Sequence, residues 1–197
     1  ILAGERTALN IVMRMSGIAT KTRMLVELCR AANPNIKVAA TRKTTPGFRR
    51  FEKRAVVLGG GWPHRNGLYD MVLVKDNHIQ LAGGVVEAVK RVRASAPARL
   101  RVEVEVTDMD EALAVARLGV DVIMIDNASP DEGRLIAAEI RKLAPGTVIE
   151  ASGGITEKNA AAYAAWADIV SLGSLTHSYD SCDFSLGVTR VSRNGAA

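Results

Sequence analysis

Aromatic side chains are scarce in this chain, in which Phe, Trp and Tyr together make up 4% of 197 residues. Proteins that bind single-stranded nucleic acids stack the bases on aromatic side chains within a basic groove. The few aromatic residues here are scattered, and no run of five or more Lys or Arg residues accompanies them. We therefore predict no nucleic-acid partner, although the net charge of +5 would permit one.

Cysteine and long apolar runs are also lacking. Cys29 and Cys182 lie far apart and have no spacing typical of a metal or redox motif, so we expect reduced thiols in a cytoplasmic protein. No apolar run approaches the roughly 18 residues that cross a bilayer. The chain also does not begin with a basic region followed by an apolar core, as a signal peptide would. These absences predict a cytoplasmic protein without a membrane partner.

The composition suits a globular domain, since 48% of the residues are hydrophobic and 24% are charged. Short apolar runs alternate with stretches of helical period, and this alternation predicts a parallel sheet. The strand-to-strand spacing, about 21 to 30 residues, fits compact βα units. We predict an α/β fold with a helical lead-in at residues 1–36 and an incomplete (β/α) barrel of about six parallel strands at residues 37–197. The predicted strands are Val38–Ala40, Met71–Val74, Arg101–Val106, Val122–Asp126, Thr147–Ser152 and Asp168–Gly173.

The predicted helices fill the intervals between these strands. The segment Thr7–Ala32 has close to helical spacing with a weak point at Gly17, which leaves one helix or two open. Ser129 and Pro130 form an N-cap and first-turn pair. The other predicted helices are Phe48–Leu58, Gly83–Ser95, Asp108–Leu118 and a segment that Thr156 caps and that runs to about Ala165.

Charged, polar or small residues stand at the end of every predicted strand. In a barrel of parallel strands, the loops at these carboxyl ends build the functional site. Cations occupy the first ends in chain order and carboxylates the later ones, a pattern that predicts a ligand-binding or catalytic site. The residues concerned are Arg42, Lys43, Lys75, Glu105, Asp126, Ser152, Gly153, Gly154, Gly173 and Ser174.

The chemistry at these ends indicates an anionic ligand. Arg42 and Lys43 open a Pro-Gly turn and can grip a carboxylate or a phosphate, and the glycine loops after the last two strands can hold a phosphate through backbone N–H groups. Glu105 and Asp126 offer hard oxygen ligands for Mg²⁺ on a diphosphate, or can steady a developing cation. In the alternative interpretation these carboxylates serve the structure: Glu103 pairs with a lysine in the barrel interior, and Asp126 caps a turn.

The histidines leave further alternatives open. His64, followed by Arg65, adds a cation and a hydrogen-bond donor to the predicted site, or serves the structure alone. His78 could fix the loop after Lys75. His177 lies near the predicted phosphate site or merely begins the final helix.

Eight motifs in order resemble the quinolinate phosphoribosyltransferase family, the carboxylating nicotinate-nucleotide pyrophosphorylases, from Gly4 to about Leu186. The resemblance implies transfer of a phosphoribosyl group from phosphoribosyl diphosphate to the ring nitrogen of quinolinate, with loss of CO2 and diphosphate, in NAD biosynthesis. It also implies a homodimer or a higher homo-oligomer that shares its sites between subunits. The motifs are Glu5–Asn10, Ser16–Thr20, Thr41–Gly47, Gly59–Gly61, His64–Arg65, Lys75–His78, Asp126–Asn127 and Ala151–Ile155.

The resemblance further implies a role for each matching residue. Arg42, His64, Arg65 and Lys75 match positions that hold the quinolinate carboxylates, with Arg6 reaching in from the partner subunit. The implied catalytic set is Lys43, Lys75, Glu105 and Asp126, the last two also near Mg²⁺. The implied phosphate-binding set is Ser152, Gly153, Gly154, Gly173, Ser174 and His177.

Two departures from the family pattern leave alternatives. The family's N-terminal α/β sandwich domain is missing from this chain, which suggests a fragment, and a noncatalytic dimerisation module is one reading of it. Trp62-Pro63 stands where the biosynthetic enzymes more usually have an asparagine. A proline there resembles the molybdenum-transport-associated relatives of the family, which would bind an anionic or phosphorylated ligand. Lys75–His78 favours the biosynthetic enzyme.

Overall fold

Six parallel strands form one sheet in the computed structural model, which describes residues 2–189. In chain order the strands are β1 (Lys37–Ala40), β2 (Val72–Val74), β3 (Val102–Val106), β4 (Val122–Asp126), β5 (Val148–Ser152) and β6 (Ile169–Leu172). Their spatial order is β1-β6-β5-β4-β3-β2, and each neighbouring pair is parallel. The predicted incomplete barrel is confirmed, with each strand within one or two residues of its expected bounds.

One backbone bridge lengthens the curved sheet beyond β1. Trp62 pairs with Ala39: the Trp62 N–H donates to the carbonyl of Val38, and the Ala40 N–H donates to the carbonyl of Trp62. Among the described residues no ladder joins Trp62 to β2, so the barrel stays open between them. This places the segment after Trp62 next to the carboxyl end of β1.

Eight helices connect or flank the strands in the part of the chain that the structure describes. The first is a single continuous helix, so Gly17 does not interrupt it. They are α1 (Leu2–Ala32), α2 (Arg49–Leu58), α3 (Asp76–Ala82), α4 (Val85–Ser95), α5 (Met109–Arg117), α6 (Pro130–Leu143), α7 (Ala160–Ala164) and α8 (Ser174–His177).

Local capping explains where two of these helices begin. Ser129 caps α6 in a reciprocal capping box with Glu132, as the sequence predicts. Thr156 caps a turn that precedes α7 and not the helix itself: its hydroxyl accepts from the Lys158 N–H, and the Asn159 side chain accepts from the Thr156 N–H. The helix therefore begins only at Ala160. The short helix α3 was not expected, and α8 ends at His177, which one alternative placed at the start of a final helix.

The two faces of the sheet differ in character. The outward side chains, such as Val104, Ile123 and Val170, are buried against the helices and form the apolar core. The inward side chains include Glu103 and Glu150, both fully buried. Strand alternation therefore separates an apolar outer layer from a charged barrel interior.

The chain returns across α1 after the last helix. Residues 178–182, here called the strap, lie along α1: the Cys182 N–H donates to the Met13 carbonyl, and the Lys21 ammonium donates to the Ser178 carbonyl. Gly17 makes room for this crossing, because a Cβ at that position would overlap the Asp180 carbonyl. The predicted barrel segment runs to residue 197, of which residues 190–197 lie outside the described part.

No helix within residues 2–189 combines the length and the apolar character that a bilayer crossing requires.

Candidate active site

The predicted site residues meet at the carboxyl edge of the sheet. Parallel pairing aligns the strand ends, so that Asp126 at the end of β4 lies beside Ser152 at the end of β5. Glu105 on β3 pairs with Met124, two residues before Asp126, and both carboxylates project from the inner face. The strand-end pattern in the sequence thus becomes one continuous surface.

Two guanidinium groups face each other at one side of this surface. Arg42 and Arg65 are both half-buried, and neither forms an ion pair with any residue the structure describes. Burial lowers the pKa of Arg65, and the neighbouring Arg42 lowers it further. The Arg42 Nε atom is buried without a hydrogen-bond partner within the described ranges. The carboxylates of Glu103, Asp70 and Glu150 only partly offset the lowering of the Arg65 pKa, so an anion bound next to the two guanidinium groups would further stabilise their charge.

The His64 ring points into the barrel, and each of its two nitrogens forms a contact with another group of the protein. Its Nε2 lies 3.0 Å from Glu150 Oε2 and 3.5 Å from Glu103 Oε2. Burial by itself would lower the pKa of His64, but the two carboxylates of Glu103 and Glu150 next to Nε2 outweigh it and raise the pKa to about 9. The Arg65 N–H donates to Nδ1, a contact that needs the Nδ1 lone pair and so opposes protonation there.

The carboxylates around His64 are the most deeply buried charges of the barrel. The Ser171 hydroxyl donates to Glu150, whereas neither oxygen of Glu103 has a hydrogen-bond partner in the described chain. Burial, with the charge of Glu150 beside it, raises the pKa of Glu103 to about 7. The alternative that Glu103 pairs with an interior lysine is wrong, because histidine takes that place.

His64, Glu103 and Glu150 have the composition of a metal site, and their ligand atoms lie within 4.8 Å of one another. A metal ion on Nε2 of a neutral imidazole would require a proton on Nδ1, where the Arg65 N–H already donates. The geometry therefore favours an internal hydrogen-bonded cluster that fixes the histidine.

Lys75 and Glu105 form an ion pair at the next strand ends. The Lys75 ammonium, 44% exposed at the side chain, donates to Oε2 of the nearly buried Glu105. The His78 Nδ1 accepts from the Lys75 N–H and so fixes the turn into α3, as one of the sequence alternatives proposed. The nearby Asp126 accepts a hydrogen bond from Asn127. Glu105 and Asp126 each keep one carboxylate oxygen free of hydrogen bonds from the described residues.

A second group of predicted residues meets around Gly173. A Cβ at Gly173 would approach the His177 ring and the Lys43 side chain to about 3 Å, so the glycine lets these two side chains come together. The Thr176 hydroxyl also donates to the Lys43 carbonyl. A cavity of about 440 Å³ opens here, lined by Arg14, Lys43, Thr44, Thr45, Thr176, His177, Tyr179 and Ser181.

The glycine loop after β5 has backbone conformations that favour glycine. Gly153 and Gly154 have φ values of +85° and +62°. Gly153 also packs directly on Asn127, whose side chain would collide with any Cβ there. The loop Ser152–Gly154 therefore begins at the end of β5, beside Asp126 at the end of β4. Ser174 begins α8, which follows the neighbouring strand β6.

Arg6 is the predicted residue that the structure does not bring to this surface. It is exposed near the start of α1, and Arg14, eight positions later, is the α1 residue that lines the cavity. Eight residues of helix span about 12 Å. Within one chain, Arg6 therefore lies too far along the helix to join Arg42.

Several site residues were not found from the sequence. Lys53 and Glu52 are buried on α2, whereas Phe51 and Leu58 on the same helix are exposed. This helix buries two charged residues next to the apolar Ala55 and Val56, which departs from the usual amphipathic pattern. Glu150 was detectable, since it is a charged residue inside an apolar strand.

The chain is similar to known proteins along most of its length. The family model described as "Quinolinate phosphoribosyl transferase, C-terminal domain" matches residues 18–187. A probable nicotinate-nucleotide pyrophosphorylase [carboxylating] from Archaeoglobus fulgidus is 48% identical over 191 residues, covering 95% of this chain and 73% of the relative. The chain belongs to the quinolinate phosphoribosyltransferase family.

Other members of the quinolinate phosphoribosyltransferase family show how much of the family's length this chain represents. The human nicotinate-nucleotide pyrophosphorylase [carboxylating] is 43% identical over 94% of this chain and 63% of its own length. The solved structure of a NadC deletion mutant has a TM-score of 0.90 at 43% identity, over 97% of this chain and 66% of that one. The structure of NadC from Streptococcus pyogenes has a TM-score of 0.85 at 44% identity, over 93% of this chain and 63% of that one. The chain thus spans about two thirds of these relatives.

Proposed function

We propose that this chain transfers a phosphoribosyl group from phosphoribosyl diphosphate to the ring nitrogen of quinolinate and releases CO2, giving nicotinate mononucleotide and diphosphate in NAD biosynthesis. The observation that carries the proposal is the pair of half-buried, unpaired guanidinium groups of Arg42 and Arg65, one with an orphaned buried Nε. Quinolinate is a dianion, and guanidinium groups bind carboxylates in a bidentate manner.

The two ends of the site suit the two substrates. Arg42 and Arg65 would hold quinolinate, with Lys75 close to both carboxylate and ribose. Lys43 and His177, which meet at Gly173 and line one cavity, would hold a phosphate there. The backbone N–H groups of the glycine loop after β5 would bind a phosphate in the same way as other glycine-rich loops.

The chemistry needs charge stabilisation more than proton transfer. As the bond from the ribose carbon to diphosphate breaks, positive charge develops on the sugar, and the carboxylates of Glu105 and Asp126 would stabilise it. The ring nitrogen uses its lone pair to form the new bond and becomes positively charged. When the adjacent carboxylate leaves as CO2, the electron pair of the broken carbon–carbon bond is stabilised by that charged nitrogen, and a proton takes its place on carbon.

Magnesium fits the residues at the ends of β3 and β4. Mg²⁺ is usually held by one or two carboxylates together with substrate phosphates and water. Asp126 and Glu105 each keep one oxygen free, and the phosphate-binding loops lie beside Asp126. When bound, Mg²⁺ would neutralise the leaving diphosphate, while Asp126 and Glu105 hold it at this edge.

The proposal extends to assembly and location. A homodimer or higher homo-oligomer, in which Arg6 of one subunit completes the site of the other, accounts for an exposed Arg6 that its own chain does not use. A cytoplasmic location agrees with the two free thiols, Cys29 and Cys182.

Calorimetric titration with quinolinate tests the proposal, with nicotinate as the matched ligand that lacks one carboxylate. We expect quinolinate to bind with a free energy of about 4 to 8 kcal/mol and nicotinate to bind at least tenfold more weakly. Addition of phosphoribosyl diphosphate and Mg²⁺ should then yield nicotinate mononucleotide, and chelation of Mg²⁺ should stop its formation. Equal affinity for the two pyridine acids would refute the dianion site.

A further inference from the structure

Lys53 is a buried lysine that the proposed chemistry does not use. It lies on α2 with 3% of its surface exposed, and its ammonium donates to the carbonyls of Pro63 and Arg65, the latter at 2.7 Å. These two acceptors flank His64 in the segment that follows the barrel edge at Trp62. One buried side chain thus holds the backbone on both sides of a predicted site residue.

The surroundings of Lys53 are unfavourable to its charge. Burial, together with the neighbouring Arg49, Arg65 and Arg42, lowers the pKa of Lys53 to about 8, against the opposing charge of Asp70. The lysine forms no ion pair with any described residue. Its ammonium therefore contacts backbone carbonyl groups. The free energy that its burial costs is offset only by these hydrogen bonds, which hold the backbone of the segment.

The backbone between the two carbonyls is strained. His64 has φ +53°, in the left-handed region that non-glycine residues seldom occupy. Such strain persists only where the surroundings over-determine the conformation. Here the bridge of Trp62 to β1, the contact of the His64 ring with Glu150 and the hydrogen bond from Arg49 to the Asn66 carbonyl accompany the two bonds from Lys53.

We propose that Lys53 is a positioning residue for the carboxylate-binding site: it clamps Pro63–Arg65 through two carbonyls and so holds the Arg65 guanidinium opposite Arg42. The inference rests on the proposed function, since it assigns Arg65 to quinolinate. His64 holds the same segment from the other side. Its Nε2 contacts Glu150 in the barrel interior, and its Nδ1 accepts a hydrogen bond from the Arg65 N–H.

A double-mutant cycle tests whether Lys53 acts through Arg65. We expect Lys53→Met to weaken quinolinate binding about tenfold and to leave the KM for phosphoribosyl diphosphate within twofold of its original value. Arg65→Ala should weaken quinolinate binding more, and adding Lys53→Met to it should cost less than another twofold, since residues that act as a unit are not additive. Arg54→Met, an exposed cation at the next position of α2, controls for net charge and should change neither constant.

A structural readout separates the clamp from the proposed function. The chain has two tryptophans, and in protein labelled with 5-fluorotryptophan the ¹⁹F resonance of Trp62 should shift or broaden in Lys53→Met while that of Trp166 stays unchanged. If the unaltered protein binds no quinolinate, the proposed function fails, and the Trp62 resonance still tests the clamp. An unchanged Trp62 resonance, unchanged quinolinate affinity or multiplicative losses in the cycle would each overturn the clamp. Lys53→Gln carries the same test if Lys53→Met does not fold.

Discussion

At the scale of single residues, the site is organised by which charges find partners and which do not. Lys75 pairs with Glu105 and His64 with Glu150, whereas Arg42 and Arg65 have no anionic partner among the described residues. Paired charges stiffen the frame of the site, and unpaired ones remain free to bind a ligand. Lys75 belongs to both kinds, because its half-exposed ammonium keeps donors beyond its hydrogen bond to Glu105.

Arg65→Ala and Lys75→Ala should weaken quinolinate binding about 30-fold or more, on the order of 2 kcal/mol, because a buried carboxylate of the ligand loses its partner. Binding of phosphoribosyl diphosphate should change far less. Separate calorimetric titrations with each ligand measure both effects, and Lys90→Ala, an exposed lysine on α4, serves as the control. Equal losses for the two ligands would show that the halves of the site are assigned wrongly.

Glu150→Gln should lower the pKa of His64 from about 9, because it removes one of the two carboxylates that stabilise the imidazolium. An unfolded histidine titrates near 6.5. The stabilisation from His64 is therefore complete below pH 6.5 and is lost as the pH rises to about 9, a dependence that the variant should flatten. NMR titration of the histidine ring carbons measures the pKa, with His78 and His177 as internal references. An unchanged titration of His64 would contradict the carboxylate assignment.

At the scale of elements, the crossing of the strap over α1 depends on one glycine. Alanine normally stabilises a helix relative to glycine, by about 1 kcal/mol. At Gly17 that gain is outweighed, because the methyl group would overlap the Asp180 carbonyl. The strap leads directly from the cavity residues of α8, so its displacement would disturb the phosphate-binding side as well.

Gly17→Ala should therefore destabilise the protein by about 1 to 3 kcal/mol, the usual range for overpacking. Gly4→Ala on the same helix has open space around it and should be neutral or slightly stabilising. Urea denaturation of both variants measures the free energies of unfolding. If the two substitutions have the same effect, the strap does not pack on α1 in solution.

At the scale of the whole molecule, the proposed sharing of sites between two subunits assigns a role to Arg6. It is exposed on α1 and lies about 12 Å along the helix from the nearest cavity residue. A closed twofold dimer would place two such helices symmetrically, each reaching the other subunit's site.

Complementation between two inactive variants tests the shared site. Arg6→Ala and Lys43→Ala should each abolish most activity, and a refolded equimolar mixture should recover about a quarter of it, because half of the dimers are hybrids with one intact site each. Formation of nicotinate mononucleotide measures the recovery. A mixture no more active than its components would place both residues in the same subunit's site.

Periodicity and strand-end chemistry predicted the sheet and much of the candidate site. The strands have strict alternation and short connections, and the register of parallel strands aligns residues such as Asp126 and Ser152 without further information. The start of α7 was placed too early, because Thr156 and Asn159 close a turn of their own: the Thr156 N–H donates to the Asn159 side chain, and the Thr156 hydroxyl accepts from the Lys158 N–H. The roles of the individual site residues remain predictions.

The sequence by itself determined the parallel α/β barrel, the carboxyl edge where the site lies and the family motifs, because each depends on local period and on residue type at strand ends. Only the tertiary structure decided which charges pair, that His64 faces inward and that Lys53 is buried beneath the segment presenting Arg65. Those facts depend on distances between residues far apart in the chain. Burial and partner geometry, which govern the behaviour of a charge, arise only when the chain is folded.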